Sequence, residues 1–184
     1  MAKLSGNAIF KAIKNGSVVI DPFDHNNLGP NSYDLTLGST IKTYQQIPDY
    51  HSGTCPLDFK NHNKTDEISI PDEGIVLEPR KLYLAHTNET AGSTKYVPCI
   101  EGRSSLARLG VQVHLTAGFG DVGFVGQWTL EIAVVHPVRL YKNIKVCQIY
   151  FDTLEGDVTI LYNGKYNGSK GVIESMSFKD FPNA

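Results

Sequence analysis

The chain has 184 residues, enough for one domain with a substantial core, and its 41% hydrophobic content is ordinary for a globular protein. A net charge of −2 supplies no global basic field for nucleic acid, and no apolar run is long enough for a membrane-spanning helix. The three cysteines, Cys55, Cys99 and Cys147, are isolated and odd in number, and residues 1–6 lack a signal-like apolar segment, so no disulfide framework and a cytoplasmic location are expected.

Residues 5–15 read as a helix, with Ser5 as N-cap, Gly16 beyond its end, and Ile9 and Ile13 on one face beside Phe10. Residues 18–20 make a short strand that stops at Asp21-Pro22. Tyr33, Leu35 and Leu37 then alternate with polar residues, which predicts a half-buried strand. Asp34 within it is expected to be a structural hydrogen-bond acceptor, because a buried polar group needs a partner. Residues 45–67 are polar and broken by Pro48, Gly53 and Pro56, and read as a surface insertion. His51 and His62 in it lack metal-ligand spacing. Residues 68–70, 75–77 and 82–87 are short strand candidates separated by turn signals. Short strands at this spacing argue for a β-barrel or sandwich rather than a parallel α/β sheet.

Chemistry concentrates in residues 100–131. Ser104 or Ser105 can cap a short helix that Gly110 ends. Free backbone N–H groups, two hydroxyls, Arg103 and Arg108 together suit a phosphate chain. Val111, Val113 and Leu115 alternate with polar residues, then Gly118, Gly120, Gly123 and Gly126 break regular structure, with Asp121 the one acid in that turn. From Gln127 the alternation resumes. Trp128, Leu130, Ile132 and Val134 share one face, and Thr129, Glu131, Ala133 and Val135 the other. Glu131 is an acid in an apolar strand, where burial would raise its pKa and suit it to carry protons.

Residues 138–141 and 144–151 continue the strand pattern, with Gln148 polar on an otherwise apolar element and so in need of a partner. Residues 158–162 read as the last long strand. The tail from Asn163 is glycine-rich and basic, which by composition alone reads as an exposed flexible segment. Zinc-dependent nucleobase deamination needs His-x-Glu and a later Pro-Cys-x-x-Cys; neither occurs, so a deaminase built on this sequence would have to activate water without zinc.

Arg103-Ser104-Ser105-Leu106-Ala107-Arg108-Leu109-Gly110, then Thr116-Ala117-Gly118-Phe119-Gly120-Asp121 with Gly123-Phe124 and Gly126, then Thr129-Leu130-Glu131, resemble the dCTP deaminase family of the trimeric dUTPase superfamily. The pattern from Pro30 to Gly38 is similar to that family's N-terminal signature. The resemblance covers residues 4–44 and 75–171. It implies a mainly β fold, a dUTPase-like distorted β-barrel or jelly roll of many short strands with a few short helices. It also implies one domain over residues 1–184, with 163–184 as a mobile lid.

The implied reaction is hydrolytic deamination of dCTP, with Glu131 as proton carrier, Ser104 and a backbone carbonyl near Ala117 orienting water, and Arg108 balancing charge. Arg103, Ser104, Ser105, Leu106, Ala107 and Arg108 would hold phosphates. Ala117, Asp121, Thr129, Leu130, Glu131 and Gln148 would contact the nucleotide, and Tyr162, Lys165 and Ser169 would join from the lid. Asp121 has two possible tasks, binding the sugar 3′-hydroxyl or activating water at the α-phosphate. Gly118 and Phe119 resemble the members that go on to release pyrophosphate and dUMP, whereas deaminase-only members usually carry His at the position of Gly118. The alternatives are a deaminase that releases dUTP and a nucleotide-sensing protein on the same fold; retention of Glu131 speaks against the sensor. The resemblance further implies Mg²⁺ carried by the triphosphate, dTTP as inhibitor, dUTP as intermediate or substrate, and a homotrimer with shared sites. Gly120 stands where many relatives have a β-branched residue, which would loosen Asp121. Ser169 stands where the lid commonly has Gln, which would cost a direct contact or route it through water.

Overall fold

The computed structural model describes residues 2–45 and 56–181. His51 and Cys55 lie outside the described residues, as does most of the proline-broken part of the insertion. The first helix, α1 (Gly6–Lys14), starts where expected: the Ala8 N–H donates to Ser5 Oγ at 3.3 Å. Ile9 and Ala12 on its inner face are buried, and Ile13 flanks the core.

Among the described residues the strands are β1 (Val18–Asp21), β2 (Tyr33–Thr36), β3 (Thr40–Tyr44), β4 (Thr65–Ser69), β5 (Ile75–Leu77), β6 (Tyr83–Ser93), β7 (Val97–Gly102), β8 (Val111–Val113), β9 (Val125–Val134), β10 (Val138–Leu140) and β11 (Lys145–Asp152), with one short helix, α2 (Ser104–Ala107), between β7 and β8. The fold is mainly β, as expected. One sheet runs β4-β3-β6-β9-β8, with β1 also paired to β6; a second is β2-β11-β7; a third pairs β10 with β5. Their buried faces, with α1, form one apolar core that includes Tyr33, Leu35, Leu130, Ile132, Ile149 and Phe151. The alternation read in β9 holds at every position: Trp128, Leu130, Ile132 and Val134 are buried while Thr129, Glu131 and Ala133 are half-buried.

Two expectations change. Residues 65–67, read as part of a loop, belong to β4, whose exposed polar residues pair with β3 at the sheet's edge. Edge strands of this kind carry no apolar alternation to betray them. Residues 158–162 form no strand. Val158, Ile160 and Leu161 are exposed, and the segment is tied back to the loop before β9 where the Tyr162 N–H donates to the Val122 carbonyl at 2.7 Å.

In β6 the register with β9 slips between His86 and Thr90, a bulge opposite Trp128. There the Trp128 N–H donates to Thr87 Oγ1 at 3.0 Å, and Glu89 is turned into the interior, 3% exposed. Its carboxylate accepts from the Thr36 N–H at 2.9 Å and the Thr36 hydroxyl at 2.8 Å. Burial pushes the Glu89 carboxyl above its ordinary range, against those hydrogen bonds, which pull it down. The folded state therefore favours the protonated form. The stability this contributes is present below the ordinary glutamate range and is lost as pH rises through the raised folded value. Glu89→Gln keeps an acceptor for Thr36 without the charge, so its urea midpoint should change less than the wild type's on raising pH from the acid side to neutrality. Parallel pH profiles for the two proteins would remove Glu89 from this role.

Candidate active site

The hairpin β8–β9 and its loop 114–124 form one side of a cavity of about 440 Å³, and the tail forms the other. Glu131 enters it from β9 with its side chain one-third exposed, less buried than the apolar pattern suggests, yet with Oε2 sealed from solvent. The register Val111↔Val134 and Val113↔Ile132 carries on to His114, whose N–H donates to the Glu131 carbonyl at 2.8 Å. His114 holds a left-handed φ of 60°, an uncommon conformation for a residue with a side chain. That turn sets its ring, 5% exposed, against the carboxylate: Nδ1 stands 2.8 Å from Glu131 Oε2. The distance is that of an ion pair, but the angles miss those of a hydrogen bond, so both atoms remain buried polar atoms without one among the described residues.

The other ring nitrogen, Nε2, lies 2.7 Å from the Ala117 carbonyl. A carbonyl can only accept, so Nε2 carries the proton there. Nδ1 then faces Oε2 across 2.8 Å. The arrangement sets a buried imidazole against a partly exposed acid, two groups with the chemistry to hold and hand on a proton. His114 was not singled out from the sequence. Extending the hairpin register by one pair would have found it.

The turn carrying Asp121 is pinned to β7 on both sides. The Ile100 N–H donates to the Gly118 carbonyl at 2.7 Å, and the Gly120 N–H donates to the Pro98 carbonyl at 2.8 Å. A glycine at 120 therefore does not leave the turn loose. Asp121 itself is exposed and borders this cavity and a neighbouring one. Phe119 is 69% exposed beside it. At Gly118 a β-carbon would stand 2.5 Å from the Ile100 carbonyl oxygen, so the close approach of turn to β7 by itself demands glycine.

The tail covers the cavity. Tyr162, Tyr166, Ser169, Ile173 and Glu174 line it. Ser169 spends its hydroxyl on the Gln127 carbonyl at 2.6 Å, and the Gln127 N–H donates to the Ser169 carbonyl at 2.9 Å. Thr129 Oγ1 accepts from the Ile173 N–H at 3.0 Å, and Gln127 Oε1 from the Gly171 N–H at 2.6 Å. The side chain of Leu130 is fully buried, so this position can reach a ligand only through its backbone. The Lys165 ammonium pairs with Asp180, and that hydrogen bond holds it above the usual lysine range.

Glu174 is clasped by Lys42 at 2.8 Å and His62 at 3.3 Å. Phe178 packs edge-on against His62, and Phe181 against Phe59. The described end of the insertion thus anchors the tail, a role nothing in its composition signals.

The remaining candidates lie elsewhere. Arg103, not Ser104 or Ser105, occupies the N-cap of α2, and no side chain caps that helix. Ser104, Ser105, Ala107 and Arg108 are exposed, and Leu106 is packed in the core. Arg103 Nε sits 3.2 Å from Asp34 Oδ1, and Gln148 Nε2 donates to the same oxygen at 3.2 Å. Lys145 closes on Asp34 Oδ2, also at 3.2 Å. Asp34 thus has the structural role expected of it. None of the phosphate-binding candidates on α2 is among the residues lining the Glu131 cavity.

The dCTP deaminase-like family matches residues 3–154. The chain belongs to that family. A relative named "dCTP deaminase, dUMP-forming" from Clostridium beijerinckii is 46% identical over 178 residues, 97% of this chain and 98% of that protein. One of the same name from Clostridium acetobutylicum is 48% identical over 180 residues, 98% of this chain and 99% of that protein. The crystal structure of 2′-deoxycytidine 5′-triphosphate deaminase from Agrobacterium tumefaciens superposes with a TM-score of 0.62 at 22% identity, covering 81% of this chain and 47% of that one, a likeness of fold.

For this member of the dCTP deaminase-like family, the tail contacts predict the effect of truncation before Asn163. The cut removes Val172, whose burial contributes about 1.5–3 kcal/mol, together with the Phe178 and Phe181 packing. The barrel core lies outside the tail, so a cooperative but lower thermal transition is expected. Turnover of dCTP should fall and KM rise together, because the cavity loses one side. Unchanged kcat/KM in the truncated protein would make the tail a bystander.

Proposed function

We propose that the chain deaminates dCTP hydrolytically and then cleaves the resulting dUTP to dUMP and pyrophosphate. The observation that carries this reading is the Glu131 carboxylate, set in the cavity with its Oε2 sealed against His114. Glu131 takes a proton from water as the oxygen adds to C4 of cytosine and passes it to N3; it then takes the proton of the new C4 hydroxyl and delivers it to the amino group, which leaves as ammonia as the C4–N bond breaks and C4=O forms. His114 keeps the carboxylate in place and shares its proton. The Ala117 carbonyl, already accepting from His114, retains a second lone pair with which to orient the water. Asp121 then binds the sugar 3′-hydroxyl and activates a second water for attack at the α-phosphate. Gly118 and Phe119 in the same turn are the residues by which the chain resembles the members that release pyrophosphate.

The Glu131 cavity lacks α2, and α2 presents Ser104, Ser105 and Arg108 to the outside. That separation supports a homotrimer whose sites are shared: Ser104, Ser105, Arg108, Arg103 and Gln148 of one copy face the Glu131 cavity of another. Residues 163–184 act as the lid of a single domain, with Tyr162 and Lys165 meeting phosphates. Mg²⁺ enters with the triphosphate. Among the described residues no group of three or more His, Cys, Asp or Glu could cage it, so phosphate oxygens and water would hold it. dTTP, alike in sugar and phosphates, would compete for the same cavity. Among the described residues no helix is long and apolar enough to cross a membrane, and we place the reaction in the cytoplasm. Ammonia release on adding dCTP tests the reading, with CTP and dUTP as controls. Release from dCTP alone is expected; none from any of them would end it.

A further inference from the structure

Trp128, the sole tryptophan of the chain, has no role in the chemistry above, yet it packs against His114 on one side and against the turn that leads to Asp121 on the other. It is 6% exposed, and its indole N–H donates to the Ala91 carbonyl at 3.1 Å, which fixes the plane of the ring. His114 meets the ring edge-on with centroids 6.1 Å apart, and Phe124 does so at 4.9 Å. Its far edge fills the space where a side chain at position 120 would go. A β-carbon on Gly120 would lie 2.5 Å from Trp128 Cη2, 2.9 Å from the Pro98 carbonyl oxygen and 3.0 Å from Pro98 Cγ. The residue after Gly120 is Asp121.

We infer that Trp128 and Gly120 form a matched large–small pair that positions Asp121, making Trp128 a positioning residue for the pyrophosphate-releasing step. The ring acts as the wall against which the 118–121 turn rests, while the two hydrogen bonds to β7 hold the turn from the other side. A glycine is required because the indole takes the volume, and the indole is held in register by Ala91, His114 and Phe124. The pair thereby links the Glu131–His114 half of the cavity to the Asp121 half. This inference rests on the functional reading above.

A double-mutant cycle tests it, with Gly120→Ala, Trp128→Leu and the double variant assayed for ammonia, pyrophosphate and thermal midpoint. Gly120→Ala pushes the turn off the ring and off Pro98 while leaving Glu131 and His114 unchanged. Pyrophosphate release should fall about tenfold more than ammonia release, so dUTP accumulates, since small misplacements of a reacting group cost this much. In the Trp128→Leu background the same substitution should cost less and shift the product ratio less, with the Pro98 contact as the remainder.

Equal loss of both products in Gly120→Ala, or no relief in the double variant, would overturn the inference. Coupling in the thermal midpoint alone, with an unchanged product ratio, would also overturn it by reducing the pair to packing. Wild-type protein in parallel separates the two levels. If it forms no pyrophosphate from dCTP, the functional reading fails on its product and the inference with it. If it does, a negative cycle counts against the pair alone.

Discussion

Glu131→Gln should lower ammonia release from dCTP by about 10²–10⁴-fold, the range a positioned proton carrier contributes, while dCTP still binds. The amide matches the carboxylate in shape and keeps an oxygen toward His114, so the hairpin and cavity should persist. What is lost is the capacity to take a proton from water and return it to N3 and ammonia. Binding is read by competition with dTTP or by thermal shift, and should stay within a few-fold of wild type because the phosphate contacts come from other residues. Near-normal ammonia release by Glu131→Gln would remove it from the chemistry altogether.

Ser104→Ala and Glu131→Gln, each strongly impaired alone, should regain activity when co-expressed or refolded together. The Glu131 cavity contains none of Ser104, Ser105 or Arg108, which stand exposed on α2. If sites form between copies, a mixed oligomer contains some sites with an intact α2 from one chain and an intact Glu131 from another. Random assembly of a symmetric oligomer gives roughly a quarter of the sites both parts. Activity near that fraction of wild type, appearing only after mixing under assembly conditions, is the expected result. No recovery, despite demonstrated mixed oligomers, would show that both groups serve one chain's own site and that α2 must move to reach it.

Much of β9 was legible in the sequence. β9 alternates without a break because one face meets the core and the other the cavity, so both the strand and the placement of Glu131 followed from period-two patterning. The first helix was legible for the same reason, helped by the Ser5 cap. The second half of β6 was not. Its bulge at Thr87–Glu89 breaks the alternation and buries an acid that pattern reading would expose. The segment 158–162 carries the apolar spacing of a strand but finds no partner strand among the described residues, and pairing is a tertiary matter. The groups from Arg103 to Arg108 have the chemistry to suit phosphate, but their absence from the Glu131 cavity was not legible, because adjacency in sequence says nothing about which cavity a helix faces. His114 escaped notice since a single histidine after a strand has no pattern. Only the cross-strand register gives it meaning.

Following dCTP with Mg²⁺ through the wild-type protein, with products counted by nucleotide chromatography and by ammonia and pyrophosphate assays, decides whether deamination and cleavage run in sequence. Ammonia and pyrophosphate in equal amounts, dUMP as the nucleotide product and little free dUTP at any time are expected. Ammonia matched by dUTP, with no pyrophosphate formed, would contradict cleavage after deamination.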